Sequence, residues 1–258
     1  MSDLKSLIRP GDVINLEGRH WDWKNLFVSV GEAVIVPLIV RTQEKVFGVG
    51  SDHRDYHTMT YLGDNRVFST QFPKPEIVSL DEFDAADKKR TVSVFRMNPA
   101  YFGRGLKDSD LTIMSNAAMT MADVKLDYDL LQNAMIGINA LSGYPWSYHL
   151  RWLDADGKGV SEDPAKVRQH FVCSVAAAAV IAYWRHELLR TAGEDLPQPW
   201  KKLNPAAWTE RQIREYPGHW DINATFPANF AVTQTHFSHE FLEIGHFKAG
   251  TKTPNIRK

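Results

Sequence analysis

The sequence predicts an α+β fold. Three observations carry this. Short strand-like runs separated by turn residues fill the chain from Val46 to Arg96. One pair of these runs flanks Gly63-Asp64-Asn65, a hairpin signal. After Pro99 the apolar spacing becomes helical, and it ends in an alanine-rich segment that follows Cys173.

Taken in order, Asp12–Leu16 follows Pro10-Gly11 and reads as a short buried strand. Trp21–Val40 is mixed, with a helix-compatible first half and a strand-like Val34-Ile35-Val36. Val46–Val49, His57–Leu62, Arg66–Phe72, Glu76–Leu80 and Thr91–Arg96 are strands, and Asp81–Arg90 is a charged connection. Met121–Leu141 has Val124, Leu130, Leu131, Met135 and Ile138 at helical spacing and stops at Ser142-Gly143. Tyr144–Glu162 is loop-like. Phe171–Ala192, closed by Gly193, is the strongest helix. Thr225–Phe247 is too irregular to assign. The whole chain, 1–258, is expected to form one domain, with a Pro- and Trp-rich covering loop around 194–222.

Composition narrows the function classes. The chain has 258 residues, 43% hydrophobic and 24% charged, which is ample for a core. A formal net charge of -1 supplies no global field for nucleic acid or anionic lipid, so neither is expected as a partner. The longest apolar stretch, Phe27–Val40, is interrupted by Glu32 and Pro37 and is shorter than a membrane span. No stable membrane insertion is expected. Met1–Pro10 lacks an apolar core, so no secretory leader is expected, and the protein would be cytoplasmic, or exported or injected by another route. A single cysteine excludes an intrachain disulfide.

That cysteine is the first candidate for chemistry. Cys173 stands at about the first turn of the alanine-rich helix, after an extended approach over Gln169–Val172. Free N–H groups and the helix dipole at such a turn favour a thiolate, and the same N–H groups suit an oxyanion. On its local context alone, a buried apolar cysteine is the commoner reading. A cysteine nucleophile also needs a base. Of ten histidines, His57 stands out because it opens a strand that heads a hairpin. It shares a face with Met59 and Tyr61. A three-residue loop over 62–64 brings Ser69 opposite His57, and one over 63–65 brings Gln71 opposite. An even loop brings Thr70 or Phe72 instead.

Four segments stand out together: Arg9-Pro10-Gly11-Asp12-Val13-Ile14, His57-Thr58-Met59-Thr60-Tyr61-Leu62-Gly63-Asp64, Val67-Phe68-Ser69 and Phe171-Val172-Cys173-Ser174. In this order they resemble the opening strand, the histidine strand, the third polar residue and the nucleophile segment of the permuted papain-like hydrolases of the NlpC superfamily, in the branch with YiiX-like proteins and lecithin retinol acyltransferase. Weaker likenesses are Leu126–Asp129 and Phe226–Phe230. The resemblance implies a papain-like α+β fold with a small antiparallel sheet packed on the nucleophile helix. It implies catalytic Cys173, His57 and Ser69, with no cofactor and no metal. The implied substrate is a peptide amide, such as a peptidoglycan stem peptide, or a lipid acyl group. The chain departs from the pattern at Tyr56, Thr60, Ser69 and Val175. Ser69 in place of an acidic or histidine orienter implies weaker support for the imidazolium. Loss of turnover with retention of the fold is the rival expectation.

Other motifs carry less. His236, His239, Glu240 and His246 lack zincin spacing and read as a polar surface. Asp154-Ala155-Asp156-Gly157 lacks the later ligands of a calcium loop, and Gly48-Val49-Gly50 lacks the rest of a dinucleotide fingerprint.

Overall fold

A computed structural model of the chain describes residues 3–17, 36–41, 43, 55–71, 74–83, 91–102, 105–123, 127–128, 170–171, 173–174, 176–178, 180–181, 184, 227, 230 and 241–248. Its centre is a six-stranded antiparallel sheet. The strands are β1 (Val13–Glu17), β2 (Asp55–Gly63), β3 (Arg66–Gln71), β4 (Lys74–Ser79), β5 (Thr91–Met97) and one further strand at Phe241–Phe247. Helices α1 (Asp3–Leu7), α2 (Pro99–Phe102) and α3 (Asp108–Asp123) accompany it, so the architecture is α+β. Short strands β6 (Asp127–Tyr128) and β7 (His170–Phe171) pair in parallel, and Phe241–Phe247 is β8. The large sheet runs β4-β3-β2-β1-β5-β8, which puts β1 and β2 in its middle. Pro75 lies in β4, at an end of this order, where a missing N–H costs no ladder bond on its outer side.

The Pro-Gly-Asp segment fixes how the chain enters the sheet. Leu4 and Ile8, four apart, bury α1 and the turn after it. Asp12 N–H then donates to Arg9 O at 3.0 Å, closing a turn with Pro10 first and Gly11 second. Gly11 has φ +88, as the second position of a type II turn requires. A Cβ there would also stand 2.7 Å from Leu106 Cδ1. The Asp12 carboxylate accepts Arg9 N–H at 2.8 Å and both Arg96 Nε and Nη2, at 2.9 and 2.7 Å. Arg96 also donates to Leu7 O at 2.8 Å, so one guanidinium ties β5 to the end of α1 and to the last residue of the turn.

A second turn packs against the first. Gly11 N–H donates to Tyr61 O at 2.8 Å and Tyr61 N–H to Asp12 O at 2.9 Å. The β2–β3 hairpin closes through Asp64 (φ 51) and Asn65 (φ 61), a two-residue turn with both angles positive. Gly63 pairs with Arg66, but Tyr61 pairs with Val67, so Leu62 is an extra residue, a bulge. Asn65 secures the turn by donating to Ser79 Oγ at 2.8 Å and Asp81 Oδ2 at 2.9 Å.

Cross-strand partners share a face. Leu16 pairs with His57 and Val92, Ile14 with Met59 and Val94, and Met59 with Ser69. This face is the main core, completed by Leu4, Ile8, Val36, Leu80, Phe83 and Phe247. Each fully buried aliphatic side chain here contributes about 1.5–3 kcal/mol. α3 lies against β2, β3 and β4, with Met114, Ala117 and Ala118 buried.

Several sequence expectations shift. Residues 36–41 are helical, so Val36 does not continue a strand. Met121–Asp123 end α3 instead of starting a helix, and Asp127–Tyr128 is strand; the rest of the expected helix to Leu141 lies outside the described residues. Phe171 is strand, and the described residues from 173 to 184 are helical. Val46–Val49 and the covering loop around 194–222 also lie outside the described residues. No helix among the described residues is long and apolar enough to cross a membrane.

Candidate active site

His57 sits near the start of β2, on the core face of the sheet, and is 7% exposed. Its Nε2 and Ser69 Oγ are joined by a 2.9 Å hydrogen bond. The two residues are not directly opposite. Met59 faces Ser69, and the same register carried on would bring Gln71 opposite His57. The imidazole therefore reaches diagonally, a distance well suited to a long side chain and a short hydroxyl. The tight turn is even, which by itself would pair His57 with the wrong face of β3. The Leu62 bulge restores the parity and returns Ser69 to the His57 face.

Cys173 reaches the same stretch of β2 from a chain segment far away in sequence. Its thiol points at Tyr56 O at 4.0 Å, and the N–H of Thr58 is directed at its sulfur. Alternation along β2 accounts for this. Tyr61 turns its main-chain groups to β1, so His57 and Met59 do too, while Tyr56 and Thr58 turn theirs to the β3 side. Pairing of β2 with β3 runs only from Met59 to Gly63. Beyond Met59 the sulfur takes up the main-chain groups on either side of His57. The bonded His57–Ser69 pair and the Cys173 thiol thus lie along the same stretch of β2, from Tyr56 to Met59.

The thiol's electrostatics differ from the sequence expectation. Burial pushes the Cys173 thiol up to about 11 from 9.0, against the pull of the N–H groups of Thr58, Ser174 and Cys173 and of the Ser174 hydroxyl. The helix start does aim N–H groups at the sulfur, as expected. In this closed arrangement desolvation outweighs them, and Cys173 is a neutral thiol at pH 7.

Two polar residues near the site were missed in the sequence. Gln43, fully buried, donates from Nε2 to Asp55 O at 2.8 Å and fastens the start of β2. Asn15, fully buried in β1, accepts from Thr58 Oγ1 at 2.9 Å and donates to Pro227 O at 2.7 Å. A lone Asn in an apolar strand that follows a Pro-Gly-Asp turn was the available signal for it, because a buried carboxamide needs partners. Of the histidines near the C-terminus, His246 is buried and its Nδ1 bonds Ser93 Oγ at 2.8 Å, so it is not surface. His236, His239 and Glu240, like Asp154–Gly157, lie outside the described residues. No group of three or more His, Cys, Asp or Glu is placed to hold a metal among the described residues.

No protein-family model, no curated protein and no solved structure matches the chain.

Proposed function

We propose that the protein is a cysteine hydrolase of permuted papain-like type, cleaving an amide through a Cys173 thioester. The observation that carries this reading is the joint placement of a bonded His57–Ser69 pair and a thiol held by the main chain on both sides of His57. In this reading the His57 imidazole, bonded to Ser69 through Nε2, takes the thiol proton. The sulfur then attacks the substrate carbonyl carbon, and the oxyanion is held by N–H groups at the helix start. Collapse expels the amine, which takes its proton from the imidazolium. Water, deprotonated by His57, hydrolyses the thioester and restores the thiol. Because the resting thiol is neutral, its proton leaves with attack and not before it. The sequence resemblance favours a peptide amide of peptidoglycan type, or else a lipid acyl group.

The raised thiol favours a second reading, a binding protein that keeps the fold without turnover. One experiment separates the two. Cys173 is alkylated by iodoacetamide across pH 6–10 in wild type and His57→Ala, and candidate amide and ester substrates are offered while the intact mass is followed. The hydrolase reading expects labelling below pH 8 that slows in His57→Ala, and an acyl adduct on Cys173. Labelling that ignores His57, with no adduct from any substrate, sinks it.

A further inference from the structure

We infer that Asn15 is a positioning residue for the Cys173 thiol, acting through Thr58. The inference rests on the hydrolase reading, in which Cys173 is the reacting group. Asn15 and Thr58 are direct partners across β1 and β2. Their main-chain groups turn away from each other, which makes them the closely spaced kind of pair, with side chains in contact. The Thr58 hydroxyl donates to Asn15 Oδ1, while Asn15 Nδ2 donates to Pro227 O. That second bond fixes which end of the carboxamide faces Thr58, since only the oxygen can accept the hydroxyl proton. The side chain of Thr58 is thereby anchored on one edge of β2. Its N–H, on the other edge, is aimed at the sulfur of Cys173. The register of β2 with β3 stops at Met59 and Ser69, and beyond it the His57 side chain reaches back to Ser69. Anchorage from the β1 side is what keeps the amide on the sulfur.

The contrast with Thr60 sharpens the assignment. Thr60 lies two residues on, on the same face of β2 and equally buried, yet its hydroxyl has no hydrogen-bond partner among the described residues. Loss of a buried hydroxyl as such is therefore separable from loss of the Asn15 tie.

The test is the pH profile of Cys173 alkylation in the full-length protein, read by mass. Thr58→Val keeps the shape and removes the donor. Asn15→Ala removes the acceptor. Each is expected to slow labelling roughly tenfold at pH 8 and to move the profile to higher pH, the effect of about one weakened hydrogen bond to the thiolate. Thr58→Ser is expected to restore the wild-type profile, and Thr60→Val to leave it unchanged. Profiles of Thr58→Val that superimpose on wild type overturn the inference, whether or not Asn15→Ala folds. Equal shifts in Thr60→Val and Thr58→Val overturn it too. A His57→Ala control keeps the hydrolase reading distinct: if that profile matches wild type, the reading fails, whatever the Thr58 variants do.

Discussion

His57 and Ser69 are bonded diagonally across the β2–β3 hairpin, at 2.9 Å, while Ser69 stands directly opposite Met59. A neutral hydroxyl orients an imidazole less firmly than a carboxylate does. Ser69→Ala should lower turnover by about tenfold, roughly the 1 kcal/mol of one neutral hydrogen bond. His57→Ala should lower it by about a hundredfold or more, the usual share of a positioned base. Steady-state rates on whichever acyl substrate forms the adduct check both values. Equal losses in the two variants would contradict the division of roles.

The buried thiol links stability to alkaline pH. Its folded value of about 11 exceeds the ordinary 9.0. Below pH 9 both states hold the proton and the contribution is whole. Between pH 9 and 11 only the unfolded state releases it, so stability falls as pH rises, by about 3 kcal/mol over the full window. Comparing denaturant unfolding of wild type and Cys173→Ala across pH 8–11 isolates this slope from other groups. The wild type should lose stability faster.

The Asp12–Arg96 pair joins α1, β1 and β5. Asp12's side chain is 2% exposed, and burial pushes its carboxyl up from 3.8 against the opposing pull of Arg96 and the Arg9 N–H. Arg96→Met strands that carboxylate and should cost about 3 kcal/mol at pH 8. With its cation gone the carboxyl rises further and protonates earlier, so the deficit at pH 5 should be smaller than at pH 8. Urea midpoints at both pH values provide the check.

Gly11 carries two constraints at once, φ +88 and a side-chain approach of 2.7 Å to a built Cβ. Gly11→Ala should destabilise by about 2 kcal/mol through strained backbone and displacement of Leu106. Thermal unfolding would show it, and an unchanged midpoint would mean the turn relaxes freely.

Much of the sheet could be read from the chain because turns and β-runs are local signals. Thr91–Arg96 and Asp12–Leu16 were each placed within a residue of β5 and β1. The hairpin was legible too, and so were the two faces of β3 that could meet His57. Which one does so was not, because a bulge at Leu62 changes the count without leaving a mark in composition. β8 was missed for a related reason: its pairing with β5 shifts between Val94 and Phe95, so Phe241–Phe247 lacks a clean alternation. α3 was missed because its buried face is Met114, Ala117 and Ala118, small or flexible residues with little apolar contrast. Its start is capped by Asp110, whose carboxylate accepts Lys107 N–H at 2.8 Å, a signal the sequence did contain. The neutral state of Cys173 follows from burial, which depends on contacts far apart in sequence.

Cys173 meets Tyr56 across a separation of 117 residues. On a ribosome adding roughly 5–20 residues per second, the hairpin carrying His57 is finished on the order of ten seconds before the cysteine emerges. Until the helix docks beside β2, the sulfur is solvated and reacts as any free thiol does. Docking conceals it. The chain has a single cysteine, so the change in its alkylation rate during refolding follows the closure of this contact. The same sulfur that the sheet hides is thus a natural clock for long-range assembly, needing no engineered label.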